Sequence, residues 1–241
     1  MVFGKLMATE HLFSTKDELA DAAAELFARI LGEALDTRGR ASAVLSGGSS
    51  PKPIYERLAQ EPLAWNGVGL SLVDERWVPS GAKGSNFDFL RDCFADTPAQ
   101  RAQLVPLYNG HDSAAAGVEA AEQALALLKQ PFDLCVLGMG LDGHTASWFQ
   151  NSGGLDAAID PENHATLCAI DATGCAVAGE HTDRITLTYN AVAACGHVVL
   201  PLPSAEKMAV YRAAKGRLAE DAPVAALSRL GERLHVFGLR S

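Results

Sequence analysis

The sequence lacks the features that would place it at a membrane or on nucleic acid. No stretch of its 241 residues approaches the ~20 consecutive apolar residues that a membrane helix needs. The N-terminal stretch MVFGKLMATE has no apolar segment of secretory length. Lys and Arg number 20 against 29 Asp and Glu, and they form no basic stripe. We therefore expect neither a membrane partner nor a nucleic-acid partner, and an anionic ligand would need a local positive pocket.

Cysteine and histidine are present, but not in the patterns that bind metal or form disulfides. The five cysteines are odd in number, form no C-x-x-C pair and lie mostly in apolar runs. The histidines, which show no H-E-x-x-H or other paired-ligand spacing, are His11, His111, His144, His164, His181, His197 and His235. No G-x-S-x-G motif occurs either. These absences predict a reduced, cytoplasmic protein with no metal site and no serine nucleophile of the α/β-hydrolase type.

The sequence does contain a repeated alternation of helices and apolar strands. Thr15 and Glu18 have capping-box spacing ahead of a helical apolar pattern over 19–34. Unbroken apolar runs, each followed by a polar or glycine-rich turn, lie at 41–45, 68–73, 132–137 and 196–202. Unbroken runs are typical of parallel strands that are covered on both faces. We find no internal repeat or linker, so the sequence predicts one α/β domain over residues 1–241.

The loops after these strands are the candidate site, because ligands bind beyond the carboxyl ends of parallel strands. Residues 46–50, 74–76, 138–144 and 201–207 should therefore meet at one edge of the sheet. The SGGSSP stretch combines glycines, hydroxyls and a helix start, which suits a phosphate or a carboxylate, although it is not a Walker A loop. The alternative is a tight turn with Ser50 as the helix cap.

The second of these loops contains three consecutive charges, Asp74, Glu75 and Arg76. A solvated turn would explain them equally well. However, Arg76 is followed by Trp77 and then by Pro79, which would stiffen the backbone for recognition of an oxyanion by the guanidinium.

The third loop, in the stretch GMGLDGHTASWFQ over 138–150, satisfies the G-x-G-x-x-G pattern of dinucleotide sites. We predict only a short helix after it, from 145 to 151, whereas a dinucleotide site needs several helical turns. Asp171, at the end of the next strand-like run, keeps the nucleotide alternative open. His144 would begin that helix, where backbone N–H groups disfavour the charged imidazole. Its position two residues after Asp142 favours a general base over a capped or core histidine.

Four blocks, in this order, resemble the 6-phosphogluconolactonase family: LSGGSSPKPIYERLA, VDERWVP with SNFDFLRDCF, GMGLDGHTAS, and RITLTYNAV. The resemblance covers about residues 40 to 215. It implies hydrolysis of 6-phospho-D-glucono-1,5-lactone, a sugar-phosphate lactone, to 6-phosphogluconate in the pentose phosphate pathway. It also implies a three-layer α/β/α fold with a mainly parallel, Rossmann-like sheet, shared with glucosamine-6-phosphate deaminase/isomerase.

The same resemblance implies roles for individual residues. His144 would activate water, Asp142 would orient His144 or cap the turn, and Arg76 would face the lactone or the product carboxylate. The residues implied to bind substrate are Ser46, Gly47, Gly48, Ser49, Asp74, Arg184 and Lys207. The sequence departs from the family pattern at residues 148–150, where Trp-Phe-Gln stands in place of a Leu-Phe-Pro-like step, and it lacks the proline-rich approach to Arg184.

Three other functions remain open at this point. The deaminase has an Asn-Glu pair after its histidine loop and an Asp-Glu-Tyr block; here TASWFQ follows His144 and the block ends in Arg76. A dehydrogenase would use the glycine loop, and a non-catalytic sensor would bind the sugar phosphate without turnover. For the lactonase we expect no cofactor, no metal, and a monomer or homodimer.

Overall fold

The structure is a computed structural model that describes residues 8–240. Residues 1–7 and 241 lie outside the described residues. They include the first seven residues of MVFGKLMATE and both ends of the predicted domain over 1–241. Within the described range, no helix is both long and apolar enough to cross a bilayer.

Residues 8–240 form the strands and helices of a mixed α/β domain. In chain order they are β1 (Thr9–Phe13), α1 (Lys16–Arg38), β2 (Ala41–Leu45), α2 (Lys52–Leu58), β3 (Val68–Leu72), β4 (Asp74–Arg76), α3 (Asn86–Phe94), β5 (Gln103–Leu104), α4 (Ala114–Leu125), β6 (Leu134–Val136), α5 (Leu155–Ile159), β7 (Leu167–Asp171), β8 (Asp183–Leu187), α6 (Tyr189–Ala194), β9 (His197–Leu202), α7 (Ala205–Ala214) and β10 (Leu234–Leu239). Short 3-10 helices lie at Trp65–Gly67, Pro98–Arg101, Ala176–Ala178 and Pro223–Arg233.

Seven strands form one parallel sheet in the order β1-β10-β9-β6-β2-β3-β5. Every residue of β2 and of β3 is buried, as their unbroken apolar sequences require. Helices flank this sheet, which confirms the predicted single-domain α/β fold. The carboxyl ends of β2, β6 and β9 are adjacent, so the loops that follow them meet at one edge.

Helix α1 shows how the sequence specifies its own start and its buried face. The Thr15 hydroxyl accepts a hydrogen bond from the Glu18 N–H at 3.1 Å, and the Glu18 carboxylate accepts one from the Thr15 N–H. This capping box contributes on the order of 1 kcal/mol. The helix packs against β2, β10 and α2. The residues it buries there are Leu19, Ala20, Ala23, Ala24, Phe27, Ile30, Leu31 and Ala34.

A second sheet, which the sequence did not indicate, lies beside the first. Strands β4, β8 and β7 pair antiparallel in the order β4-β8-β7. The prediction that residues 74–76 form a polar loop is therefore wrong, because these residues form β4. Val73 makes the transition: its N–H donates to the Leu45 carbonyl at 3.1 Å, and its own carbonyl accepts from the Leu187 N–H at 2.8 Å. One residue thus belongs to the hydrogen-bond networks of both sheets.

The prediction of a short helix over 145–151 is also wrong. The segment is instead a series of turns, with isolated bridges joining Thr145 to Met139 and to Trp148. The Thr145 hydroxyl donates to the Gly138 carbonyl at 2.8 Å, and Ala146 has a φ of 48°. A left-handed residue and a side chain bonded to the backbone both prevent regular i to i−4 pairing. The first helix after the loop is α5, which begins at Leu155.

Candidate active site

The loops after β2 and β6 surround a cavity of about 240 Å³, together with residues of β4, β8, α3 and α7. Of the predicted 201–207 loop only Lys207 lines this cavity, because β9 extends to Leu202 and α7 begins at Ala205. The side chains and backbone groups that line it are Ser46, Gly47, Gly48, Ser49, Ser50, Pro51, Asp74, Arg76, Asn86, Gly138, Met139, Gly140, His144, Ala146, Arg184 and Lys207. Every residue to which the resemblance assigned a role is in this set except Asp142, whose carboxylate is bonded to the cavity residue His144. The structure therefore brings the predicted residues together.

The first wall of the cavity is the 46–50 loop at the end of β2. The Ser46 N–H donates to the Val136 carbonyl at 3.0 Å, and the Ser46 carbonyl accepts from the Tyr55 hydroxyl at 3.0 Å. Ser46 is buried, and within residues 8–240 its hydroxyl has no hydrogen-bond partner. Gly48 has a φ of 102°, a conformation that favours glycine. The loop thus presents a desolvated hydroxyl beside a turn that leads into α2.

The glycine loop holds a histidine–carboxylate pair. Nδ1 of His144 lies 2.6 Å from Oδ1 of Asp142. A Cβ at Gly140 would lie 2.3 Å from Cε1 of His144 and 2.4 Å from Oδ1 of Asp142, so both side chains pack over the bare Cα of this glycine. Gly143 has a φ of 88°, which makes the turn between the pair possible. The glycine spacing therefore serves the pair, and no helix follows it as a dinucleotide site requires.

The pair has a defined protonation pattern. Partial burial would raise the pKa of the Asp142 carboxyl, but the hydrogen bond and charge interaction with His144 outweigh burial, and the pKa is lowered. An ionised Asp142 accepts the proton on Nδ1 of His144, so Nε2 is the nitrogen that can accept another. Because no helix begins at His144, the proposed effect of a helix N-terminus on this ring does not apply. Asp142 takes over the task of fixing the tautomer.

Two arginines contribute positive charge, and each is anchored by backbone carbonyls. Arg76 donates from Nη1 to the Gly84 carbonyl, while its buried Nε has no partner in the described part of the chain. Arg184 donates from Nε to the His181 carbonyl at 2.7 Å and from Nη2 to the Ala178 carbonyl at 2.6 Å. Burial lowers the pKa of Arg184 more than the nearby carboxylate of Asp74 raises it. Both guanidinium groups are therefore fixed at the cavity wall.

The residues after His144 connect the glycine loop to the second sheet. The Ser147 hydroxyl donates to Oδ2 of Asp74 at 2.5 Å, and the Trp148 indole N–H donates to the Leu187 carbonyl at 2.9 Å. The Phe149 ring lies 4.6 Å from the His144 ring and 5.2 Å from the Arg184 guanidinium carbon. Trp148 and Phe149 therefore bury the segment and support the site.

Lys207, in the first turn of α7, joins the loops after β2 and β9. Its Nζ donates to the Ser50 hydroxyl at 2.9 Å, and its backbone N–H donates to the helix cap Ser204 at 3.1 Å. Burial lowers the pKa of Lys207. A half-buried ammonium beside a serine- and glycine-rich loop is a suitable anion contact.

Asn86 and Glu75 have structural roles in the site that the sequence did not reveal. Glu75 is fully buried, and its carboxylate accepts the N–H groups of Arg76, Asn86 and Phe87, each at 2.8 Å. Burial raises the pKa of Glu75 to about 7, although these hydrogen bonds oppose the increase. Asn86 lines the cavity from the first position of α3. The cap residue Ser85 and the block SNFDFLRDCF were the sequence signals here, and neither reveals that Asn86 faces the cavity.

The part of the chain that the structure describes contains no group of three or more His, Cys, Asp and Glu side chains placed to hold a metal ion. Its five cysteines are free thiols.

Comparison with known proteins reveals relatives along almost the whole chain. A family described as glucosamine-6-phosphate isomerases/6-phosphogluconolactonase matches residues 14–236. A 6-phosphogluconolactonase of Rhizobium meliloti (strain 1021) is 36% identical over 234 residues, which are 96% of this chain and 99% of the relative. The crystal structure of a 6-phosphogluconolactonase from Shewanella baltica OS155 has a TM-score of 0.88 at 33% identity, covering 100% of both chains. A monomeric glucosamine-6-phosphate deaminase shares the fold, with a TM-score of 0.77 at 19% identity, covering 96% of this chain and 97% of its own.

Proposed function

The chain belongs to the glucosamine-6-phosphate isomerase/6-phosphogluconolactonase family, and we propose that it hydrolyses 6-phospho-D-glucono-1,5-lactone to 6-phosphogluconate in the oxidative pentose phosphate pathway. The observation that carries the proposal is the His144–Asp142 pair, 2.6 Å apart, at the wall of a cavity that also contains three cationic side chains. Relatives at 36–38% identity named 6-phosphogluconolactonase support the choice of substrate.

In the proposed mechanism, His144 is a general base. Nε2 removes a proton from a water molecule as the water oxygen attacks C1 of the lactone. The Asp142 carboxylate holds the proton on Nδ1 and stabilises the imidazolium that forms. The tetrahedral intermediate then breaks the bond between C1 and the ring oxygen, and the imidazolium returns its proton to that oxygen. The products are the opened sugar acid, which ionises to a carboxylate, and the regenerated base.

The Arg76 guanidinium at the cavity wall suits the oxyanion that develops at C1. It donates to the Gly84 carbonyl, and a donor that is held in place before the reaction stabilises developing charge strongly, because it need not reorganise. Arg76 would also bind the product carboxylate, and Arg184, held beside Asp74, would contact the sugar.

The phosphate would bind between the 46–50 loop and Lys207. Backbone N–H groups at Gly47, Gly48 and Ser49, with the Lys207 ammonium, give an anion site of the usual composition. This local positive pocket explains how a chain of net charge −9 could bind an anionic substrate. Binding the phosphate would orient the lactone without covalent chemistry.

The proposed reaction requires neither a metal ion nor a nicotinamide. Water, a base and fixed donors are sufficient for hydrolysis of an activated ester. The deaminase alternative is less well supported, because the segment 145–150 provides no carboxylate after His144. The sensor alternative differs from our proposal only in turnover. A monomer or homodimer and a cytoplasmic location remain predictions.

The test is the rate of lactone consumption by the purified protein against spontaneous hydrolysis, before and after exhaustive EDTA treatment. We expect turnover well above background, unchanged by EDTA, with unphosphorylated gluconolactone a poor substrate. Binding of 6-phosphogluconate without turnover would instead support the sensor. Activity lost to EDTA and restored by Zn²⁺ would overturn the metal-free mechanism.

A further inference from the structure

We propose that Asn86 is a positioning residue that fixes the 46–50 loop against β4 and thereby makes the site selective for a phosphorylated lactone. This inference rests on the proposed function, because it assigns the 46–50 loop to the phosphate and β4 to the reacting end. Asn86 is 6% exposed, and its side chain reaches both parts of the site.

The first contact is between Asn86 and Gly47. A Cβ at Gly47 would lie 2.1 Å from Oδ1 and 2.5 Å from Cγ of Asn86, and the three nearest atoms to that position all belong to Asn86. Gly47 is not among the glycines with a left-handed φ. Its φ therefore does not require glycine, and the nearest obstacle to a Cβ at this position is the side chain of Asn86.

The second contact is between Asn86 and β4. Nδ2 of Asn86 donates to the Asp74 carbonyl at 3.0 Å, and the Asn86 backbone N–H donates to the buried carboxylate of Glu75 at 2.8 Å. The residue is thus held at its backbone and at the end of its side chain. It cannot move away from the loop without breaking a bond to β4.

These contacts connect the two ends of the cavity. The proposed phosphate contacts lie on the 46–50 loop, and the proposed oxyanion donor Arg76 lies on β4, which Asn86 holds through Asp74 and Glu75. The separation between phosphate and C1 is fixed in the substrate, so a fixed separation in the protein favours the substrate that has both groups. Without Asn86 the loop could shift, and the advantage of the phosphate would decrease.

The experiment compares Asn86→Ala with the wild type on 6-phosphogluconolactone and on unphosphorylated gluconolactone. We expect KM for the phosphorylated lactone to rise about tenfold, the effect of one hydrogen bond and the loop order it maintains, with kcat changed less. The kcat/KM for gluconolactone should fall by a clearly smaller factor, because this substrate has no phosphate to contact the 46–50 loop. General damage to the site would lower both values equally, so an unchanged ratio of the two would overturn the proposal.

A matched control is Asn190→Ala. Asn190 donates from Nδ2 to the Asn163 carbonyl at 3.2 Å and lines a different cavity, so it loses a comparable bond away from the site. It should leave both KM values unchanged.

A second test does not depend on turnover. Gly47→Ala should destabilise the protein in urea denaturation and weaken the binding of 6-phosphogluconate measured by calorimetry. In the Asn86→Ala background the same substitution should have much less effect on both, because only Cβ of residue 86 remains, 3.2 Å from the new methyl group. Equal effects in both backgrounds would overturn the Asn86–Gly47 contact. An inactive wild type would contradict the proposed function alone, since the denaturation cycle would still report on the contact.

Discussion

Two histidine environments at opposite ends of the parallel sheet differ in the partner that each imidazole has. At the carboxyl end, His144 contacts the carboxylate of Asp142 at 2.6 Å. Near the amino ends of β9 and β10, His197 and His235 contact other histidines: His235 lies 5.7 Å from His197 between ring centroids and 5.5 Å from His11 of β1. One imidazole has a carboxylate within hydrogen-bond distance, and among residues 8–240 the other three have none.

The difference shows that the loop around a histidine determines its chemistry. The glycines at 140 and 143 bring the carboxylate of Asp142 to the His144 ring, and His144 lines a cavity. The three strand histidines are half-buried, and burial lowers their pKa values. A base needs an oriented tautomer and access to substrate. Only His144 of these four has both in the described structure.

The largest expected effect separates the two environments directly. His144→Ala should lower kcat by about 10² to 10⁴, the usual contribution of a general base, and should still bind 6-phosphogluconate. His235→Ala should leave kcat within about twofold. Steady-state kinetics and calorimetry on folded variants measure both quantities. Near wild-type turnover in His144→Ala would show that His144 has only a structural role. Asp142 or Asp74 would then be the candidate base.

The next effect tests the carboxylate partner. Asp142→Asn should lower kcat by roughly a hundredfold, because an amide can donate to Nδ1 and so favour the wrong tautomer. The control is Asp160→Asn. Oδ1 of Asp160 accepts the backbone N–H of Glu162, two residues later, at 2.9 Å, but Asp160 does not line the cavity. If both variants kept full activity, Asp142 would be a turn cap and nothing more.

A smaller effect concerns the phosphate end of the cavity. Lys207→Ala should raise KM for the phosphorylated lactone about tenfold through the loss of a charge-assisted contact, and should not affect gluconolactone. Lys52→Ala is the control, since Lys52 is near the same loop but pairs with Glu56 at 3.7 Å. An unchanged preference for the phosphorylated substrate would remove Lys207 from the anion site.

The smallest effect belongs to the histidine cluster. Burial, His11, His197 and Arg29 all lower the pKa of His235 below its ordinary 6.5, while Glu33 and Asp133 nearby act in the opposite direction on His197. As pH falls below 6.5, His235 therefore binds a proton in the unfolded chain before it does so in the folded chain. The free energy of unfolding decreases until the pH reaches the lower pKa of the folded state.

His235→Gln should reduce this decrease in the free energy of unfolding by less than about 1 kcal/mol, because the ring is partly exposed. Urea denaturation between pH 5 and 7.5 measures it. A slope in His235→Gln identical to that of the wild type would contradict the role of the cluster.

The sequence could predict the parallel sheet because each buried strand has its own local signature. Unbroken apolar runs and turn residues placed the loops at 46–50, 138–144 and 201–207 at one edge. It could not predict that 74–76 pairs as a strand, since Asp, Glu and Arg have no β pattern. Their pairing depends on β8, more than a hundred residues later.

The helix predicted after His144 failed for a similar reason. Residues 145–149 have acceptable local helix propensity, but the bonds of Thr145 to Gly138 and of Trp148 to Leu187 are tertiary or side-chain contacts that override it. Asn86 was missed because its importance depends on proximity to Gly47, which no local pattern encodes.

Val73, which belongs to both hydrogen-bond networks, has a consequence for the dynamics of the protein. Its N–H is bonded to β2, and its carbonyl is bonded to the Leu187 amide of β8. The strand that contains Asp74 and Arg76 therefore cannot detach by local fraying, because its first bond is part of the central sheet. Amide protons of Val73 and Leu187 should exchange with deuterium only when the whole domain opens. The backbone of Asp74 and Arg76 would then be as rigid as the core, and any motion on substrate binding would come from the loops.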